Sequence, residues 1–563
     1  MHSLLQTGAL PIALVVIASA AGIWLNLIST HVPDPYLDEF FHVPQAQRYC
    51  KGDYSWDPKI TTPPGLYMVS LLLQSVLRIP CHTYSLRALN AGAICVVCIL
   101  AYDILRNLRA RTSSNQKEKA TRVGSQKGGH HGEQTALFDA HSALNISLFP
   151  PLFFFSGLYY TDIISTLLVL LSYNTFLKKG RGRWRFWEDV TFVQIGIVAL
   201  SFRQTNIFWV AVFPAGLSVI DAIKRGESIT YPKDISLREL IDKSWSEGFV
   251  YDCDVGDAGF KDVVLLSVSI PLAAVGKLLF VLRLVLPHII LLGLFAGFVV
   301  WNGGVVLGDK SAHVATLHLP QMLYVWPYII FFSLPVVVSP LVAPVAICMP
   351  TGTVKTFVQD TFIGQAKPPL PHIISAVFFL AFGFAAVHFN TIVHPYTLAD
   401  NRHYVFYVFR ILRMHAAIKY AAVPVYYTCY WMAVQALGSS RPASAVDKER
   451  RREKVRPAGK GADRVPCQLS FFVIWLATTA LSVITAPLVE PRYFIVPWII
   501  WRLHVPSMSA SYTKRSSGGV SYDLRLVLET VWLLAINAVV GYNFLYRGFS
   551  WPSEAGAVQR FLW

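Results

Sequence analysis

Apolar residues run in long uninterrupted stretches along the chain, and polar residues fall between them in short clusters. A helix needs about 20 apolar residues to cross the hydrocarbon core of a bilayer. Gly8–Thr30 meets that length without a charge and has no evident small-residue cleavage site, so it reads as an anchor rather than a signal peptide. Further runs lie at Leu86–Leu108, Ala143–Tyr160, Ile163–Leu177, Val190–Phe202, Asn206–Ile220 and Val285–Trp301. Others follow at Met322–Leu341, His372–Asn390, Ala417–Ala436, Ser470–Leu488, Tyr493–Leu503 and Leu524–Phe544. The pattern predicts an all-α polytopic membrane protein of about 12–14 spans forming one integral domain over the whole chain. Pro63–Ile79 is shorter and amphipathic in pattern, and reads as a helix lying at the membrane interface.

Charge placement orients these spans. Basic residues crowd three connections: Arg109, Arg111, Lys117 and Lys119 in 109–140, Lys178–Arg185, and the DKERRREKVR string in 439–466. The positive-inside rule assigns them to the cytosol, together with 223–262. Alternation then places 31–85, 160–162, 202–205, 302–320, 391–419 and 489–492 on the opposite, lumenal side. The 439–466 connection has the composition of a disordered linker.

Composition removes the main alternatives. The chain is 54% hydrophobic and only 15% charged, against roughly 25% charged for soluble domains. Its net charge of +16 sits in short loops between apolar runs, not on folded polar modules, so it does not indicate nucleic-acid binding. The DCDVGD string at 252–257 lacks EF-hand spacing and reads as a cytosolic loop. Cys95 and Cys98 lie inside an apolar run, where metal or redox use is not expected. Cys50 and Cys81 share the first lumenal loop, and sequence alone does not fix whether they pair. The sequon at Asn145-Ile146-Ser147 falls inside an expected span and should be unused. Trp24, Trp56, Tyr159 and Tyr160 read as interfacial belt residues.

Chemistry-bearing residues concentrate in the lumenal segments. The first reads HVPDPYLDEFFHVPQAQRYC, with the adjacent acids Asp38 and Glu39 directly after the anchor, and continues through WDPKITTPPGLY. Later come FRQTN at Phe202–Asn206, NGGVVLGDKSAH at Asn302–His313, LADNRHYVFY at Leu398–Tyr407, EPRYF at Glu490–Phe494 and QRFLW at Gln559–Trp563. This ordered set, spanning the whole chain, resembles the dolichyl-phosphate-glucose α-1,2-glucosyltransferase family of asparagine-linked glycosylation. Every internal string lies in a segment that the charge pattern had already placed in the lumen.

The resemblance implies a GT-C glycosyltransferase fold in the endoplasmic reticulum membrane. It implies transfer of the terminal glucose from dolichyl-phosphate-glucose to the diglucosylated dolichyl-diphosphate-linked oligosaccharide. A β-linked donor and an α product mean inversion, which needs a base for the acceptor hydroxyl and cations or donors for the departing phosphate. Asp38 is the expected base, with Glu39 the near alternative. Arg203, Gln204, Asp400, Asn401, Arg402, His403, Tyr404 and Arg492 are the candidates for the donor phosphate and sugar, since a guanidinium fork matches phosphate oxygens. His42, Asp57, Asp162, His313 and Glu490 are the candidates for orienting the acceptor. Asp162 can equally be a helix N-cap, and Glu490 with Arg492 a structural pair. No metal site is expected: His313 and His318 do not have zinc-ligand spacing. No cofactor is expected beyond the donor substrate. The competing readings are another dolichyl-phosphate-sugar transferase and a non-enzymatic transporter. The latter would place charges along a midplane path, whereas here they crowd one boundary, and no internal repeat is visible.

Overall fold

The structure, a computed structural model, describes residues 8–121, 132–179, 186–224, 235–310, 316–363, 371–438, 467–486, 488–507, 522–554 and 556–563. It is a bundle of helices with one two-stranded ribbon, in which Phe549–Ser550 pairs antiparallel with Val558–Gln559. Every apolar run read from the sequence is helical over most of its length. The first becomes Ala9–His31 and the last Leu524–Tyr546.

By length and composition alone, four helices are long and apolar enough to cross a bilayer: Ala9–His31, Thr83–Arg111, Leu278–Asn302 and Leu524–Tyr546. A fifth candidate is the pair Gln321–Val337 and Ser339–Cys348, bent by 49°. The protein is thus a multi-pass membrane protein, but fewer runs than expected form single long spans. Proline breaks some of them, and others, such as Asp162–Lys178 and Ile373–Phe389, are simply short at 17 residues each. The run expected at Ala143–Tyr160 ends its first helix at Ser147 and restarts as Pro150–Phe155, with Pro150 and Pro151 in the first turn, where a missing N–H costs no helical bond. Gln321–Val337 contains Pro327 and Pro335 and leaves helical geometry at Ser333. The run from Asn206 opens with a π-helical turn over Phe208–Val212 before Phe213–Ile223.

Other boundaries moved as well. The connection expected at 109–140 is largely helix, because one helix continues to Thr121 and the next starts at Gly132. Leu237–Ser246 and Phe260–Gly276 are helices within and after the connection expected at 223–262. The linker at 439–466 lies outside the described residues, as does His313.

Backbone contacts gather the connections at two ends. At one end, Asp309 N donates to Pro58 O (2.8 Å), His318 N to Ile484 O (2.7 Å) and Leu562 N to Arg402 O (3.0 Å). At the other, Val255 N donates to Cys467 O (2.9 Å), and Lys178 pairs with Asp103. Among the described residues, Arg109 and Lys178 therefore sit at the end opposite to the segments carrying the motif strings.

The first loop is itself folded. It holds the helices Glu39–Cys50 and Gly65–Leu77, and a Cys50–Cys81 disulfide ties them together. Leu66, Tyr67 and Ser70 face inward, while Met68, Leu72, Val76 and Leu77 are exposed apolar residues, as a helix lying against lipid requires. Gly65 N donates to Ser201 O at 2.7 Å, an approach so close that any Cβ there would collide with Ser201 and Phe202. Tyr159 and Tyr160 are buried, not interfacial: the Tyr159 hydroxyl bonds Ser70 and Leu66 O of the loop helix, and the Tyr160 hydroxyl serves the site described below. Trp24 is buried too, donating its indole N–H to Phe154 O (2.8 Å). Asn145 of the sequon is fully buried and bonded to Leu526 O and Glu529, so no glycan can reach it.

Candidate functional site

The site is built where the first loop meets segments hundreds of residues away. Asp38 is the N-cap position of the helix Glu39–Cys50. Glu39, its neighbour, points the opposite way, into the protein. Its carboxylate accepts from Arg87 Nε (2.9 Å) and Nη2 (2.6 Å), and from the backbone N–H of Tyr159 (2.7 Å) and Tyr36 (3.1 Å). Both partners of this ion pair are buried, at 1% and 0% exposure. Arg87 also donates to Val32 O and Asp34 O, closing the first loop onto the end of the anchor helix. The adjacent acids thus have different environments: Asp38 keeps 43% of its side chain exposed and Glu39 none.

Asp38 meets Arg492, whose Nη1 lies 2.8 Å from Asp38 Oδ2. The same guanidinium reaches Glu490 at 3.0 Å and Asp162 at 3.9 Å, and packs against the rings of Phe155 and Tyr160. Asp162 is buried and pairs with Arg203 at 2.9 Å. It is the first residue of Asp162–Lys178, with Thr161 at the cap position, and makes no cap bond, so the N-cap reading does not hold. Five charged groups from four separate segments therefore alternate in sign across one patch. Burial works to raise the Asp38 carboxyl, but Arg492, through charge and hydrogen bond, outweighs it and holds Asp38 below the usual carboxylate range.

His42 sits one turn on from Asp38 in the same helix, buried, with Nδ1 2.5 Å from the Tyr67 hydroxyl. Burial lowers its imidazole despite the pull of Asp38, which favours the neutral ring.

The 400–404 run forms a second cluster beside the first. Asp400 takes a forked pair of bonds from Arg402 Nε and Nη2 (2.9 and 2.7 Å). Arg402 also donates to Gln559 (2.9 Å) and stacks over Trp551. Asn401 Oδ1 accepts from Trp551 Nε1 (2.9 Å), and Asn543 Nδ2 approaches the Tyr404 hydroxyl at 3.5 Å. His403 Nδ1 lies 2.9 Å from Trp563 O, and its side chain remains one-third exposed. The segment holding Gln559 and Arg560 links the two clusters, since Gln559 accepts from Arg402 and Arg560 N donates to Tyr36 Oη.

Of the residues marked in the sequence, Asp38, His42, Asp162, Arg203, Glu490 and Arg492 converge. Gln204 and Asp57 do not join them in hydrogen bonding: Gln204 Nε2 donates to Thr61 O (3.0 Å), and Asp57 Oδ1 accepts from Lys59 N (2.9 Å) in its own turn. Three contributors were not marked. Arg87 was visible as a charge at the start of an apolar run, a position that usually has a named partner. Tyr160 donates its hydroxyl toward Tyr36 O and accepts from Asp38 N (3.2 Å). Arg560 lies in the QRFLW string, which carried the resemblance but no assigned role. Among the described residues no group of three or more His, Cys, Asp or Glu is arranged to hold a metal ion.

The profile of the DIE2/ALG10 family matches residues 32–503. A protein of Aspergillus fumigatus named Dol-P-Glc:Glc(2)Man(9)GlcNAc(2)-PP-Dol alpha-1,2-glucosyltransferase is 40% identical, covering 100% of this chain and 98% of its own. Proteins of the same name from Arabidopsis thaliana and Mus musculus are 32% and 30% identical, over 97% and 96% of this chain and 99% and 95% of their own. No solved structure matches the chain.

Proposed function

The chain belongs to the DIE2/ALG10 family and is a dolichyl-phosphate-glucose-dependent α-1,2-glucosyltransferase, in which we propose that Asp38 is the base of a one-step inverting transfer at the lumenal face of the endoplasmic reticulum membrane. The acceptor is the diglucosylated, dolichyl-diphosphate-linked oligosaccharide of the relatives' name. The observation that carries the site is the Asp38–Arg492 contact across 454 positions of sequence, at the open member of the acid pair. The acceptor hydroxyl oxygen attacks the anomeric carbon from the face opposite the phosphate. Its proton passes to Asp38 as the carbon–oxygen bond to the phosphate breaks, and dolichyl phosphate leaves with the bonding pair. Glu39, bonded on both oxygens and buried, positions the loop.

The geometry revises the phosphate assignment. In-line inversion puts base and leaving group on opposite faces of the sugar, so a guanidinium already bound to the base is poorly placed to receive the phosphate. Arg492 therefore holds Asp38 ionised and aimed. Arg402 is committed to Asp400. His403, one-third exposed, is the better phosphate donor, with Arg203, paired with Asp162, as the second candidate. No metal is assigned to the reaction.

Replacing Arg492 with Gln lowers kcat/KM in a transfer assay with defined dolichyl-phosphate-glucose and the diglucosylated acceptor by about 100- to 1,000-fold, the scale of losing one preorganised electrostatic group. The acid limb of the pH profile also moves up, because Asp38 loses the charge that lowers it. Reduced activity with an unmoved limb would detach Arg492 from the base.

Lumenal orientation is supported by the Cys50–Cys81 disulfide, since such bonds persist in oxidising compartments and not in the cytosol. Alkylation of membrane-embedded protein without reductant should leave Cys50 and Cys81 linked, and mass spectrometry reads the peptide pair directly. Finding both as free, alkylated thiols would place the loop on the cytosolic side.

A further inference from the structure

The chain segment after the helix Leu524–Tyr546 turns back and is built into the site. Its ribbon brings Gln559 under Arg402. Beyond it, Leu562 is buried and bridges His403 in parallel register, taking a bond from Tyr404 N and giving one to Arg402 O. Between these contacts Arg560 does two things. Its guanidinium caps the carbonyl ends of two helices at once, donating to Phe544 O and Leu545 O (both 2.8 Å) and to His31 O (3.1 Å). Its backbone clasps one hydroxyl: Arg560 N donates to Tyr36 Oη at 2.7 Å, and Tyr36 Oη donates to Arg560 O at 3.1 Å.

Tyr36 stands two residues before Asp38, and the residue between them is strained. Leu37 has φ +51°, left-handed backbone that a branched side chain seldom adopts and that persists only where the surroundings enforce it. The enforcement is visible. Tyr36 N is held by Glu39, Tyr36 O and Asp38 N by the Tyr160 hydroxyl, and the Tyr36 side chain by Arg560. The first two constraints come from the loop and its floor, and the third from the far end of the chain.

We propose that the segment Gln559–Trp563 is a positioning element of the active site, which through the Arg560–Tyr36 clasp holds the left-handed Leu37 turn that aims Asp38 at the acceptor hydroxyl. The proposal rests on Asp38 as base. The segment touches no reacting atom in this role; it sets where the carboxylate points.

Tyr36→Phe removes the clasp and little else, and Arg560→Met releases the segment from the two helix ends. Each variant, purified and assayed with saturating donor and acceptor, lowers kcat by about 10- to 100-fold, the scale of a misplacement of about 1 Å at a reacting group. KM for both substrates stays within about twofold, as expected when orientation and not uniform binding is lost. The double variant is no slower than the slower single one, since Tyr36→Phe removes the clasp directly and Arg560→Met loosens the backbone that makes it. In an Asp38→Asn background, Tyr36→Phe produces no further loss, because the group it positions is gone. A rise in KM at constant kcat, unchanged turnover, or a full further loss in the Asp38→Asn background overturns the proposal. If Asp38→Asn itself remains active, the base assignment fails instead. Should Arg560→Met not fold, Tyr36→Phe alone and in the Asp38→Asn background decides the matter.

Discussion

Asp38→Asn lowers glucose transfer by about 100- to 10,000-fold, the usual worth of general base catalysis, in a protein that remains folded and membrane-inserted. The change is nearly isosteric, and the side chain it alters is 43% exposed, so packing around it survives. Asparagine can still accept from Arg492 through its carbonyl oxygen, but it cannot take a proton from the acceptor hydroxyl. The assay is transfer from defined dolichyl-phosphate-glucose to the acceptor bearing two glucoses, at matched protein levels. Wild-type kcat/KM has its acid limb below the ordinary carboxylate range, because Arg492 lowers Asp38 against the opposing effect of burial. The base is therefore already ionised well below neutral pH, and raising the pH through neutrality leaves its state unchanged. An Asp38→Asn enzyme with near-normal turnover would remove this carboxylate from the chemistry.

The bundle was legible because a bilayer demands long apolar runs, and such runs need no tertiary information to recognise. The two-ended arrangement was legible for a related reason: Lys and Arg mark one end through their placement in the loops. Helix continuity was not. Pro150 and Pro151 break one expected span, while the helix from Thr83 runs past its apolar portion to Thr121. The convergence of Asp38, Asp162, Arg203 and Arg492 could be anticipated from their common assignment to one side. Their pairing could not, since it depends on how four separate segments pack. Gln204 was marked for its chemistry and proved to bond the backbone of the first loop at Thr61, a use that polar residues in a short connection share with catalytic ones. Arg560 shows the limit most clearly. A single arginine near the end of the chain has no period, spacing or partner in sequence, yet it clasps Tyr36 across 524 positions.

Glu39→Gln, by contrast, damages the fold before it touches the chemistry. The Glu39–Arg87 pair is sealed from solvent on both sides, and removing one partner of such a pair leaves a buried charge uncompensated, at about 3–5 kcal/mol. Glutamine is a poor substitute here for a second reason. Both carboxylate oxygens accept, from Arg87 and from the backbone of Tyr36 and Tyr159, and the amide nitrogen would turn a donor toward donors. The variant should therefore show a lowered melting temperature and yield in detergent, with turnover per folded molecule reduced less than in Asp38→Asn. Adding Arg87→Gln removes the stranded guanidinium, so the double variant should be no less stable than Glu39→Gln alone. A Glu39→Gln protein that melts with the wild type would show that the pair does not secure the loop. If that stable variant were also inactive while Asp38→Asn retained its turnover, the base would be Glu39, and the open carboxylate beside Arg492 would be the one that only positions.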